Sequence, residues 1–273
     1  FQILADVSRA PAQRMAQGLL QAVEAGFVIP ESGGLALLNE IATGKQTAAT
    51  GVPVGQDALM HDSAFSFMHD RVHQAVYDLV PENNRKSLHY EIGRLLLQRL
   101  DQKGLWENIF TIVNHLSHGV TFLAGEEERS GHAHLYLWAG CKAKEGTAYQ
   151  LAVKYFNIGI ALLAKDCWDD HYDLAFALYR EKMECAFLNR DHDAAEHLFQ
   201  FIFSRACSEM DKATLLYFKM VMHAGLGQHE EAVRIGMDGL AILGLHLRQG
   251  RKKYNELLEL IRLRLKHAKV RAA

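Results

Sequence analysis

Residues 172–205, YDLAFALYREKMECAFLNRDHDAAEHLFQFIFSR, decide the fold class of this chain. Apolar residues recur about once per helical turn in both halves of the stretch, which is typical of amphipathic helices. They are Leu174, Leu178, Met183 and Phe187, followed by Leu198, Phe199, Ile202 and Phe203. The polar run Asn189-Arg190-Asp191 separates the halves and is typical of a tight turn. The stretch therefore predicts a pair of helices, Tyr172–Leu188 and Asp193–Arg205.

Two further segments have a similar organisation. Small residues lie on the second helix of each segment, and the three that align best are Ala152, Ala195 and Ala232, at steps of 43 and 37 residues. The tetratricopeptide repeat has a period of about 34 residues, so the match is loose. Small residues let paired helices approach closely, and stacked pairs bury each other's apolar faces. We expect an irregular tetratricopeptide-like helical-repeat array over residues 85–273, with a non-repeating helical bundle as the alternative.

The first 84 residues have a different pattern. They predict a helix at Pro11–Ala25, a strand at Phe27–Ile29, a strand at Phe65–Phe67 and a helix at Asp70–Leu79. Residues 31–61 are rich in Gly, Ser, Thr and Pro around a short helical pattern at Leu35–Ile41, so most of them are expected to form a flexible loop. This order of elements favours a small winged-helix-like unit over residues 1–84. The fold as a whole is predicted to be mainly α.

Composition excludes several classes of protein. Lys and Arg number 30 against 32 Asp and Glu, so the net charge of -2 argues against a general nucleic-acid-binding surface. The four cysteines form no CxxC pair, which argues against zinc and thiol-redox sites and suits a reducing cytoplasm. No apolar run reaches the ~18 residues of a membrane span. Because the chain begins at Phe1, we expect it to be a piece of a longer cytoplasmic protein.

Few residues form a pattern that supports catalysis. Gly44-Lys45-Gln46-Thr47 lacks the spacing of a phosphate-binding loop. His69 and His73 lie four residues apart without a third ligand nearby in sequence, so no metal site is predicted. No nucleophile lies in a recognisable catalytic context, and we expect no enzymatic activity from this chain. Residues 248–271 are basic with an apolar stripe, which fits a further repeat helix better than a helix that binds nucleic acid or a partner.

Four motifs, in order along the chain, carry a resemblance to a known family. They are FSFMHDRVHQAVYDLVP at 65–81, LHYEIGRLL at 88–96, IFTIVNHL at 109–116, and AGCKAK at 139–144 with Ala148-Tyr149. These motifs resemble a region of large bacterial and fungal signalling proteins. Such proteins join a serine/threonine kinase-like domain, a STAND-type ATPase module, a tetratricopeptide-like region, a GAF domain and often a sensor histidine kinase.

The resemblance implies a regulatory role without catalysis. Residues 1–81 would be the winged-helix end of the ATPase module, and the later helices its sensor or scaffold arm. Met68-His69-Asp70 is similar to the MHD motif of related nucleotide-switch ATPases, which implies that His69 senses the bound ADP or ATP and Asp70 supports it. An imidazole can donate a hydrogen bond to a phosphate oxygen. The residues are equally compatible with a structural role, in which Asp70 caps the following helix and His69 packs nearby.

The implied function couples a nucleotide switch to output domains through a helical-repeat surface. Its partners would be the ATPase and kinase domains of the parent protein, with a further protein or peptide on the repeat surface. The alternative is the corresponding segment of an ATP-dependent transcription activator of the maltose-regulator type. DNA binding by residues 1–84 is not expected, because the helix Pro11–Ala25 carries a single basic residue, Arg14, against Glu24.

Overall fold

The computed structural model describes residues 1–31, 33–44, 64–123, 125–164 and 167–246, and this part of the chain is mainly helical. The contacts within the chain divide it into two compact units, the first being Phe1–Ala139 and the second beginning at Gly140. The prediction of a mainly α fold is confirmed. The boundary expected after residue 84, and the winged-helix and tetratricopeptide detail, stay predictions.

The first unit begins with helices that flank a short sheet. In chain order they are α1 (Gln2–Ser8), α2 (Ala12–Glu24), β1 (Val28–Pro30), α3 (Gly34–Thr43), β2 (Phe65–Phe67) and α4 (Asp70–Leu79). The strands pair antiparallel, with Val28 opposite Phe67 and Pro30 opposite Phe65. Helices α2 and α3 bury Ala16, Leu37 and Leu38 against Phe1 of the amino terminus.

The rest of the first unit is helical. It contains α5 (Glu82–Arg99), α6 (Gln102–Glu107), α7 (Ile109–Ser117), a short 3-10 helix at Val120–Phe122, and most of α8 (Glu126–Glu145). Helix α7 packs on α5 and buries Ile109, Ile112, Val113 and Leu116. The Tyr136 hydroxyl of α8 donates to the carbonyl of Val113 at 3.2 Å, so this buried phenol is satisfied.

The second unit consists of the end of α8 and the helices that follow. They are α9 (Tyr149–Leu162), α10 (Cys167–Asp170), α11 (Tyr172–Leu188), α12 (His192–Phe203), α13 (Glu209–Gly225) and α14 (His229–Ile242). Helix α11 packs on α9 and α12, and α13 packs on α14. Ala152, Ala195 and Ala232 are buried, as expected for small residues between paired helices.

Local signals explain where the helices of the second unit begin and end. Arg190 has a φ of 65° between α11 and α12, which confirms the predicted turn at 189–191. The Asp191 carboxylate accepts a hydrogen bond from the Ala194 amide at 3.1 Å, and Ser208 accepts one from the Asp211 amide at 3.0 Å. Both are side-chain caps of a helix amino terminus. The observed pair Tyr172–Leu188 and His192–Phe203 therefore follows the predicted pair closely.

Several expectations fall partly or wholly outside the described residues. Residues 34–43 of the predicted loop 31–61 form helix α3, while Ser32 and residues 45–61 lie outside the described part. The basic segment 248–271 lies outside it as well. Within the described ranges, no helix is both long enough and apolar enough to span a membrane.

Candidate functional site

The junction between β2 and α4 positions the two residues singled out from sequence. The Met68 amide donates to the Phe27 carbonyl at 2.9 Å, which extends the strand pairing by one residue. His69 follows in extended conformation, with φ -145° and ψ 144°, and stands at the N-cap position of α4. Asp70 is then the first residue of the helix. The sequence therefore holds both residues at the exit of a small sheet.

His69 and Asp70 are both exposed to solvent. The His69 carbonyl accepts hydrogen bonds from the amides of Val72 at 2.9 Å and His73 at 3.2 Å, while its side chain makes no capping hydrogen bond. Because the N-cap residue is His69, Asp70 acts on the helix through its charge in the first turn, where the helix dipole favours a carboxylate. The His69 imidazole thus has no capping role and is accessible to an anionic ligand.

Helix α4 contacts α5 mainly through one arginine and one histidine. The Arg85 side chain donates from Nε to the Val80 carbonyl at 2.6 Å, and from a terminal nitrogen to the Asp78 carbonyl at 3.2 Å. Its guanidinium lies over the Tyr77 ring at 4.7 Å from the centroid. Val80, Asp78 and Tyr77 all belong to the end of α4 or its C-cap, so Arg85 fastens that end to α5.

The second contact is part of a chain of rings. One turn after Arg85, His89 Nε2 lies 3.1 Å from the Tyr77 hydroxyl, and His89 Nδ1 lies 2.8 Å from His115 Nδ1 on α7. The ring of His118 stacks on that of His89, with ring centroids 4.3 Å apart. These contacts connect α4 to α5 and α5 to α7. We call His89, His115 and His118 the imidazole cluster.

Burial lowers the pKa of two imidazoles of this cluster. Desolvation lowers the pKa of His89 from its ordinary value of 6.5, and the positive charge of His118 lowers it further. Desolvation likewise lowers the pKa of His115, with His89 and His118 as the charged neighbours that add to the effect. The lowered pKa values favour the neutral forms of His89 and His115 at physiological pH, and hydrogen bonding between these two neutral rings becomes possible.

The ring chain reaches back toward the junction. The Tyr77 ring lies 6.1 Å from that of His73, and the His73 ring lies 5.1 Å from that of Phe67 in β2. Phe67 is two residues before His69. The structure thus joins the sequence-predicted segment to the imidazole cluster by side-chain contacts.

Sequence reasoning found the segment and missed the cluster. His115 lies in the motif at 109–116 and His89 in the motif at 88–96, and neither pattern indicates that the two rings meet. Among the described residues, no group of three or more His, Cys, Asp or Glu side chains is arranged to hold a metal ion. Tyr77 and His89 belong to consecutive motifs, and this could have indicated that the two residues lie near each other. The contact with His115 depends on how α7 packs on α5, which the sequence does not show.

One open groove lies elsewhere in the first unit. It has a volume of about 720 Å³ and is lined by Asp101, Gln102, Lys103, Trp106 and Trp138. The Asp101 carboxylate already caps α6 by accepting from the Gly104 amide at 2.8 Å. The groove contains no residue of the ring chain, so it is not part of the candidate site.

Comparison with known proteins gives a signalling context. The chain is similar to "Hybrid signal transduction histidine kinase G" of Dictyostelium discoideum, at 28% identity over 166 residues. The similarity covers 52% of this chain and 5% of that protein, so the chain corresponds to a small part of its relative. No protein-family profile matches the chain, and no solved structure matches it significantly.

The relative is named as a signal transduction histidine kinase, so the comparison supports the expected signalling-protein context. It shows no winged-helix or tetratricopeptide family. The STAND-type ATPase, the serine/threonine kinase-like domain and the roles of His69 and Asp70 stay predictions.

Proposed function

We propose that the chain is a non-catalytic regulatory segment of a multidomain signal-transduction protein. In this proposal the junction at His69 responds to a bound nucleotide, and the helices that follow transmit the response and present an interaction surface. The observation that carries it is the similarity to a segment of a hybrid signal transduction histidine kinase.

The geometry at the junction supports a sensing role. His69 is exposed, has no partner in capping α4, and follows directly on the β1–β2 pairing. A neutral or charged imidazole donates to a phosphate oxygen, and loss of that oxygen removes the hydrogen bond. The phosphate-bearing ligand would be ADP or ATP held by an ATPase module of the parent protein, with Asp70 supporting the junction.

The second unit supports an interaction role. Its exposed apolar side chains include Met210, Tyr217 and Val221 on α13 and Val233 on α14. Met210, Tyr217 and Val221 are spaced by seven and four residues, which places them on one face of α13. Contiguous apolar side chains on a surface mark contacts with other proteins. The proposed partner is a protein or peptide, in addition to the kinase and ATPase domains of the parent.

Calorimetric titration with ADP and ATP tests the nucleotide part of this proposal. It is done on the 273-residue chain and on the full product of its gene, each with and without His69→Ala. We expect binding by the full product alone, and His69→Ala should weaken ADP more than ATP. Binding by the 273-residue chain itself, or no effect of His69→Ala in the full product, would contradict the proposed role of His69.

A matched control separates sensing by His69 from the general effect of removing an exposed imidazole. His134→Ala changes an exposed histidine of α8 that belongs neither to the junction nor to the ring chain. Equal loss of ADP affinity in the His69 and His134 variants would contradict a specific contact between His69 and the nucleotide.

A further inference from the structure

Helix α4 is held to the first unit without a hydrophobic core of its own. None of its residues is buried, and Val76 and Leu79 are 45% and 82% exposed. Its contacts with α5 come mainly from Arg85 and His89, which lie four residues apart on one face of that helix. The attachment of α4 thus depends on polar groups, and one of them is a histidine, a side chain that can change its charge with pH.

The hydrogen bonds of His89 admit only certain protonation states. A distance of 2.8 Å between His89 Nδ1 and His115 Nδ1 requires one proton between two nitrogens. If His89 donates from Nδ1, its Nε2 accepts from the Tyr77 hydroxyl; if it accepts at Nδ1, its Nε2 donates to that oxygen. One additional proton on His89 is still compatible with both contacts. A second additional proton, on His115, puts two N–H groups face to face and breaks the bond between the rings.

His118 makes full protonation of the cluster less favourable still. Its ring is nearly parallel to that of His89, at 20° and 4.3 Å between centroids. Charges on two imidazoles stacked at this distance repel each other. A charge on His118 therefore opposes protonation of His89.

Titratable and charged groups near the cluster lie on the helices that contact α5. Helix α4 carries Tyr77, His73 and Asp78, and α7 with the turn after it carries His115 and His118. Glu128 and His132 of α8 contact Tyr90, while Asp6 of α1 and Arg9 after it pair with Arg99 and Glu91. On α5 itself, Lys86, Arg85 and Arg94 are the cations nearest in sequence to His89, and Lys86 pairs with Glu82 at 3.4 Å. The Asp and Glu carboxylates in this set already pair with Arg85, Tyr90, Arg99 and Arg9.

We propose that the Tyr77–His89–His115 chain, with His118 stacked on it, is a proton-sensitive latch that holds α4 against α5 and loosens it on acidification. Neutral rings keep the latch closed. Protonation of His115 together with His89 forces these two rings apart, and the displaced His89 ring leaves the Tyr77 hydroxyl, while the contacts of Arg85 with α4 remain. Tyr77 and His89 are then positioning residues for the junction at His69. The latch stands on contacts within the first unit, and only its regulatory consequence rests on the proposed function.

The direction of the pH dependence follows from the lowered pKa values of His89 and His115. Between those values and the unfolded value of 6.5, the folded protein binds fewer protons than the unfolded chain. The stabilising effect of the latch is therefore complete above about pH 6.5 and is lost as the pH falls through the lowered folded values.

Amide hydrogen exchange of the 273-residue chain tests the latch without any nucleotide. Protection of residues 70–79, corrected for the intrinsic exchange rate, is followed from about pH 7.5 down to about pH 4, so that the series extends well below the ordinary histidine pKa of 6.5. Helix α11 is the internal reference. We expect protection of α4 to fall about tenfold on acidification, which corresponds to about one pKa unit of coupling. Unchanged protection of α4 would overturn the proposal.

Three variants assign the effect to the cluster. His115→Gln keeps a hydrogen-bonding side chain opposite His89 but cannot titrate, so acidification should change α4 protection by less than about threefold. His134→Gln removes an exposed histidine of α8 and should behave as the unsubstituted protein. Tyr77→Phe removes the hydroxyl and should lower α4 protection already at neutral pH.

Each variant can also overturn the latch. A fall in the His115→Gln variant equal to that of the unsubstituted protein would exclude His115 as the sensing group. Unchanged protection in Tyr77→Phe would exclude the hydroxyl as the attachment, even if His115→Gln failed to fold. If the full gene product did not bind ADP while α4 still responded to pH, the proposed nucleotide function would be contradicted and the latch would not.

Discussion

Helices α4 and α11 are both predicted from the sequence, and they have opposite environments. Each begins and ends where the sequence predicts. Yet α4 buries none of its ten residues, whereas α11 buries eight of seventeen, among them Leu178, Met183 and Cys185 at 0% exposure. One helix is held by polar contacts at one end, and the other lies within a packed core.

The difference indicates which helix can move. Local opening requires little free energy where few apolar contacts are lost, so switching elements come from the least buried parts of a structure. Helix α4, next to His69, is such a part. Helix α11, between α9 and α12, is suited to hold a surface in constant shape. The predictions below test this contrast, beginning with the largest expected effect.

Matched leucines test the contrast directly. Leu178→Ala in α11 removes a fully buried side chain and should lower the free energy of unfolding by about 2–5 kcal/mol. Leu79→Ala in α4 removes a side chain that is 82% exposed, and a surface change of this kind is worth about 0.5 kcal/mol or less. Urea denaturation followed by circular dichroism measures both. Equal losses of unfolding free energy in the two variants would contradict the difference in packing between α4 and α11.

Matched lysines test the polar contacts of the packed helix. Lys144 donates to Glu181 at 2.5 Å and to Glu184 at 2.9 Å, and Glu181 is 8% exposed. Lys144→Ala should cost about 1.5–3 kcal/mol, as for a hydrogen bond between charged groups. Lys86 forms an exposed pair with Glu82 at 3.4 Å, so Lys86→Ala should cost less than about 1 kcal/mol.

The same contact predicts an acid response. Burial opposes the charged form of Glu181, but the hydrogen bonds from Lys144 and Arg180 outweigh it and hold the pKa of this carboxyl below 4.5. Its stabilising effect is complete above that unfolded value and is lost as the pH falls through the lower folded value. Glu181→Gln should therefore flatten the loss of stability below about pH 4.5. If the substitution left the dependence of stability on pH unchanged, a group other than Glu181 would dominate the loss of stability in acid.

Matched glycines of α8 test how closely the second unit is packed. A Cβ at Gly140 would overlap the Phe156 ring, with Cδ1 only 2.6 Å away, whereas a Cβ at Gly131 would meet nothing within 4 Å. Gly140→Ala should cost about 1–3 kcal/mol through overpacking. Gly131→Ala should stabilise by up to about 1 kcal/mol, because alanine is the better helix former. Thermal unfolding measures the stability of both variants. If Gly140→Ala left the stability unchanged, the Phe156 ring would have to move aside freely.

The smallest expected effect compares two N-cap residues. Asp191 accepts a hydrogen bond from the Ala194 amide, so Asp191→Ala should destabilise by about 1 kcal/mol. His69 caps α4 without a side-chain hydrogen bond, so His69→Ala should change stability by less than about 0.5 kcal/mol. Differential scanning calorimetry measures both changes. A large loss for His69→Ala would mean that its effect on nucleotide binding reports folding instead of sensing.

Local signals explain why much of the fold could be predicted. The ends of α4 follow from the extended Phe65–Phe67 run before it and Pro81 after it, because the residue before a proline avoids helical conformation. The turn between α11 and α12 follows from three polar residues at 189–191. Helix α1 was missed, since its seven residues carry no side-chain cap at their start and too few turns to reveal a period.

The candidate site was predictable only in part. His69 and Asp70 were found because they belong to a contiguous motif. His89 and His115 are separated by 26 residues, and nothing in the sequence indicates that Nδ1 of one faces Nδ1 of the other. That contact arises from the packing of α7 on α5. Sequence periodicity predicts which face of each helix is buried, but it does not predict which residues of the two helices lie opposite each other.

The close approach at Gly140 has a consequence for natural variation among related chains. We expect positions 140 and 156 to vary together, because a Cβ at 140 would overlap the ring at 156. Relatives that keep a large aromatic at 156 should keep glycine at 140, and relatives with alanine or serine at 140 should carry a smaller side chain at 156. Position 79, open to solvent, should drift freely among polar and apolar residues.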